Sequence, residues 1–121
     1  MMEQAGLAQK VDSLLDELNQ VDPVSYDLGT PELPEVNALN ELVEMGQEIT
    51  PLLIERIRQS DSSKRIAYAV MALNRLGDIR ALDSLRELCA RYRTIETKDE
   101  WDYAVIGQCN AAIEALEKEG R

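Results

Sequence analysis

Few side chains in this sequence could do covalent or metal chemistry. Cys89 and Cys109 are the two thiols among 121 residues, and there is no histidine. Without an imidazole, a Ser-His-Asp triad, a Cys-His pair, a histidine base and histidine-containing zinc sites are excluded for this chain by itself. Two cysteines cannot make a four-thiolate site either. Asp99, Glu100 and Asp102 crowd the stretch TKDEWDY, but they lack the ligand spacing of a calcium loop, and acids gather at helix N-termini without any metal. The glycines, at 6, 29, 46, 77, 107 and 120, are scattered and form no phosphate-cradling loop. The expectation is a protein that is not an enzyme and carries no cofactor or metal.

The same inventory bounds partners and compartment. No apolar run approaches the roughly 20 residues of a membrane-spanning helix. The opening MMEQAGLAQKVDSLL lacks the basic segment, apolar stretch and small-residue cleavage site of an export signal. A cytoplasmic protein with two reduced thiols is therefore expected. One Trp, four Tyr and no Phe make a poor base-stacking platform, and a net charge of −10 repels nucleic acid at long range. The charge is uneven. Residues 1–50 hold eleven acids against Lys10, residues 51–93 hold nine bases against five acids, and residues 94–121 hold seven acids against three bases. A locally basic middle could take an acidic peptide or a phosphate group.

Positioning these residues falls to helices, because apolar spacing is helical throughout and strand-type alternation is nowhere sustained. Leu7, Val11, Leu14, Leu15 and Leu18 predict a first helix over about 5–20. Three prolines and a glycine then make 21–34 a long connection, with Val24, Tyr26, Leu28 and Leu33 available to pack. Helices are predicted over about 35–45 and 48–59, separated by Gly46. SDSS serves as turn and N-cap. A fourth helix, about 62–76, should bury Ile66, Ala69, Val70 and Leu73, and a last one covers about 99–119. Between them Gly77 ends a helix in the left-handed conformation and Asp78 caps the next, whose buried side is Leu82, Leu85, Leu88, Cys89 and Tyr92.

The two glycines suggest a repeat. Pro51, Ile54 and Ile57 lie at +5, +8 and +11 from Gly46, and Leu82, Leu85 and Leu88 lie at the same offsets from Gly77, giving a period of 31 residues. The last helix repeats the first arm again, with Cys109, Ala112, Ile113 and Leu116 matching Ala69, Ala72, Leu73 and Leu76. The expected organisation is one domain over 1–121: an N-terminal helix and Pro-rich connection (1–34), a repeat (35–60), a second repeat (61–93) and a half repeat (94–121).

On these residues the stretch DSSKRIAYAVMALNRLGDIRALDSLREL resembles a HEAT-like repeat of the short bacterial type, also found in phycobilin lyase subunits. Ala69, Ala72, Leu73, Leu76, Gly77, Asp78, Ala81, Leu85 and Leu88 fall on that pattern, whereas Ile66 takes its arginine slot and Asn74 its first glycine. The resemblance implies an all-α fold, an armadillo-like α-α superhelix: a short HEAT-like solenoid of about six helices whose second helices line a concave face. It also implies a role as an adaptor, scaffold or regulatory protein that binds another protein, or alternatively a subunit of a pigment-attaching or other catalytic complex.

Candidate binding residues follow from that row. Arg80, Asp83, Glu87 and Arg91 should face outward from the fifth helix, and Leu52 and Arg56 from the third, with Arg56 and Glu87 meeting across the groove. Leu52 reads either as a single exposed leucine or as a hydrophobic anchor. Trp101 and Tyr103 form either a recognition knob or the cover of a core end. On the last helix Ala104, Gly107, Ala111 and Ala115 make a stripe of small residues that could pack on a second copy around a two-fold axis.

Overall fold

A computed structural model describes residues 2–19, 37–60, 62–96 and 99–119. The described chain is all-α: α1 (Met2–Asn19), α2 (Asn37–Glu44), α3 (Thr50–Gln59), α4 (Ser63–Leu76), α5 (Leu82–Arg93) and α6 (Glu100–Glu119), with short 3-10 helices at Gln47–Ile49 and Ile79–Ala81. No described helix is long and apolar enough to cross a membrane. The connection expected over 21–34, with Val24, Tyr26, Leu28 and Leu33, lies outside the described residues.

α4 is the hub. Its residues Ile66 to Leu73 are all buried, including Ala67, Tyr68, Met71 and Ala72 outside the expected stripe. The reason is that α1, α2, α3 and α6 all pack against it, and a helix enclosed on every side is apolar all round. Its ends are closed locally. The Ser62 hydroxyl accepts a hydrogen bond from the Arg65 N–H at 3.2 Å, and Gly77, at φ 63° and ψ 30°, donates its own N–H to the Leu73 carbonyl.

α1 contributes Val11, Leu14, Leu15 and Leu18 to the core. α6 lies across α4 and α5 and buries Val105, Cys109, Ala112 and Leu116, with Ile106 and Ile113 partly covered. Leu85, Leu88, Cys89 and Tyr92 of α5 are buried as expected, whereas Leu82 is only partly so.

Counting from the glycines misplaces the second helices. The glycines are 31 apart (46 to 77), but the 3-10 helices begin at 47 and 79 and α3 and α5 at 50 and 82, a shift of 32. The extra residue is Asp78, the N-cap of its 3-10 helix, where Gly46 itself is the N-cap of the first. One residue turns an α-helix by about 100°. Relative to their helix starts, the residue equivalent to Arg56 is therefore Leu88, and the one equivalent to Glu87 is Glu55.

Candidate interaction groove

The rotation decides what lies between α3 and α5. Arg58 points across the gap, donating to the buried Ser84 hydroxyl at 3.1 Å and approaching Glu87 at 3.8 Å. From the other side Arg91 donates to the Ile57 carbonyl at 3.3 Å and lies over the Tyr92 ring at 5.6 Å. Below them Ile57 and Leu88, both buried, floor a cavity of about 160 Å³ walled by Arg58, Ser84, Glu87 and Arg91. The same two arginines border a second, shallower depression of about 450 Å³, whose other walls include Ser60, Ser63, Tyr92 and Asp102.

The second depression is held by short polar bonds. Ser63 donates to Asp102 Oδ1 at 2.6 Å and shares a hydrogen bond of 3.0 Å with the Tyr92 hydroxyl. Asp102 Oδ2 accepts from the Asp99 N–H at 3.1 Å while Asp99 Oδ1 accepts from the Asp102 N–H at 2.9 Å. This reciprocal pair caps the start of α6. It explains why acids crowd TKDEWDY: two of them, Asp99 and Asp102, satisfy backbone donors of their own helix.

The other expected site residues are dispersed. Arg56 turns away from Glu87 to α1, where its Nε and Nη2 meet both carboxylate oxygens of Asp12 at 2.6 and 3.1 Å. That hydrogen bond, helped by the nearby Asp12 charge, raises the Arg56 pKa although partial burial opposes it. Leu52 is partly buried against the core, which corrects its expected outward place. Arg80 folds back on Asp78, at 2.6 Å, and donates to the Gln47 carbonyl at 3.0 Å. Asp83 is 93% exposed, 3.7 Å from Arg86. Of the expected row, Glu87 and Arg91 alone line the groove. Arg58, Ser60, Ser63 and Ser84 were missed, and the one sequence signal for them was the basic middle segment.

Trp101 is partly buried, with its ring 6.3 Å from that of Tyr68 and the Lys64 ammonium 5.4 Å from its centre. Tyr103 is 59% exposed. The small-residue stripe of α6 is broken, because Ala104 is buried in this chain's own core, leaving Gly107 and Ala111 exposed and Ala115 between. Cys89 and Cys109 are free and buried, and burial, with Cys89 nearby, pushes the Cys109 thiol up to about 12. A thiol so protonated is a poor nucleophile.

Together the two depressions offer two guanidinium groups, two carboxylates, four hydroxyls and an apolar floor, a set suited to holding a ligand. No family model, curated protein or solved structure matches the chain. The groove therefore has to be interpreted through its own chemistry.

Proposed function

We propose that the chain is a non-enzymatic protein-interaction module, an adaptor, scaffold or regulatory binding protein, built as a short HEAT-like stack with α3 and α5 as its recognition helices. The observation that carries this reading is the open groove between those two helices, with an apolar floor of Ile57 and Leu88 and charged rims of Arg58, Glu87 and Arg91. An apolar centre with a polar rim is the usual anatomy of a binding patch. The HEAT-like reading is supported by the repeat pattern of 61–90 and by Gly46 and Gly77, each of which lies between the two helices of a pair, α2 and α3 or α4 and α5.

Affinity capture from the source cell with the parent protein, Arg91→Glu and an α6 control, Gln108→Ala, tests it. The module reading requires a partner retained by the parent and the control and lost by Arg91→Glu. A partner that all three hold equally would remove this face, and turnover of a bilin in the captured complex would favour the catalytic alternative.

A further inference from the structure

The charges around the groove are unequally committed, and the difference indicates what would fill it. Asp102 uses Oδ1 on Ser63 and Oδ2 on the Asp99 N–H. Glu87 reaches Arg58 only at 3.8 Å, with the side chains 72% and 60% exposed, an arrangement of little net worth and easily exchanged. Arg91 is met by a neutral carbonyl, and among the described residues no carboxylate lies within ion-pair distance of it. The groove thus presents, above an apolar floor, one loosely paired guanidinium and one with no carboxylate within ion-pair distance among the described residues.

The molecule contains its own example of such a surface when filled. On the far side of α3, Arg56 receives Asp12, and Arg65 at the start of α4 receives Asp16. The two acids lie four residues apart on one helix, and the neighbouring Val11 and Leu15 are fully buried. A helix that alternates a buried aliphatic residue with an acid therefore satisfies both the apolar and the cationic parts of that face.

Resting on the interaction-module reading, we propose that the groove between α3 and α5 takes an acidic segment of another protein, one carboxylate entering between Arg58 and Arg91 and a neighbouring aliphatic side chain covering Ile57 and Leu88. Arg58 and Arg91 border both cavities. A carboxylate there has two planar donors within reach, and guanidinium forks pair well with carboxylates. The cavity of about 160 Å³ over Ile57 and Leu88 has room for one apolar side chain of the segment.

The test is a random-peptide phage selection on the full chain, followed by fluorescence anisotropy with the best synthetic peptide, fluorescein-labelled. Expected are peptides with Asp or Glu beside Leu, Ile or Val. Their affinity should fall about tenfold or more on Arg58→Glu or Arg91→Glu and also fall when salt is raised. Arg91→Gln, a milder change, should weaken binding in the same direction, and thermal melts of each variant separate lost binding from lost folding. Arg86→Glu, on the same helix but outside the groove, should leave affinity unchanged.

Enrichment of peptides without acids, or of acidic peptides indifferent to both arginine substitutions, overturns the proposal. If such peptides are instead lost on Asp83→Arg, the interaction-module reading stands and the groove assignment falls. Displacement of the bound peptide by millimolar inorganic phosphate, with direct phosphate binding by calorimetry, would reassign the two arginines to a phosphate ligand. A selection that yields no ligand also overturns it.

Discussion

The two turns that follow a positive-φ glycine do the same job with different parts. After α2 the chain turns through Gly46, at φ 84° and ψ −177°, with no side-chain cap on the 3-10 helix that follows. After α4 it turns through Gly77 in the ordinary left-handed helical conformation, and then Asp78, at φ −92°, caps with its side chain. Asp78 is 5% exposed, and its Oδ1 accepts from the Arg80 N–H at 3.0 Å. The Arg80 guanidinium grips the same carboxylate and holds its pKa at about 2, against the opposing effect of burial. The first turn is thus held by a backbone only glycine adopts readily, the second by a charged cap. They are also tied together: Gln47 donates from Nε2 to the Leu76 carbonyl, and Arg80 to the Gln47 carbonyl, each at 3.0 Å. A difference in mechanism therefore need not become a difference in the packing that follows.

The largest expected effects test whether the helices after the two turns are as alike as the turns are unlike. Leu53 and Leu85 are each the fourth residue of their helix and each fully buried. Leu53→Ala and Leu85→Ala should both cost about 2–5 kcal/mol by thermal or urea denaturation. A cost at Leu85 several times that at Leu53 would break the equivalence.

Glycine substitutions should separate the turns next. A Cβ at Gly46 meets nothing within 4 Å, so the cost of Gly46→Ala is backbone strain, about 1–3 kcal/mol. Gly77→Asn should cost under about 1 kcal/mol, because asparagine tolerates the left-handed helical region. Equal melting temperatures for the two variants would contradict the distinction.

Acid should act on the second turn alone. The Asp78 carboxyl titrates near 2 when folded, below its value of about 3.9 in an unfolded chain, so its contribution is complete above pH 4 and lost as pH falls toward 2. That shift corresponds to about 2–3 kcal/mol. Chemical denaturation of parent and Asp78→Asn should show their stability difference shrinking over this window. A difference that stays constant would remove the ionised cap from the account.

The smallest effect concerns the tie. Gln47 is exposed, so Gln47→Ala should cost under about 1 kcal/mol while speeding amide exchange at both turns, as measured by native-state hydrogen exchange. Faster exchange at the first turn alone would show that the two open independently.

Most of the helical framework was legible because its signals are local. The apolar spacing of Val11, Leu14, Leu15 and Leu18, the breaks at Gly46 and Gly77 and the caps Ser62 and Asp78 each act within one or two turns of helix. The arginines were not legible in the same way. Arg56, Arg80 and Arg91 read as members of one outward row, and nothing in the sequence singled out Arg58. Only the added turn residue Asp78 and the resulting rotation of α5 relative to α3 decide that Arg58 rather than Arg56 meets Glu87. The pairing of Arg56 with Asp12 spans 44 residues of sequence and depends on α1 packing beside α3 and α4.

By itself, then, the sequence determined an all-α chain, the apolar faces of its helices and the places where they stop, since periodicity and capping are properties of neighbours along the backbone. The tertiary structure alone decided that α4 is enclosed, that Ala104 belongs to the core, and which guanidinium groups are spent within the fold and which still face the groove. The physical reason is that a long charged side chain has no strong local preference. Its partner is whichever carboxylate, carbonyl or hydroxyl the packing of distant helices brings within about 3–4 Å.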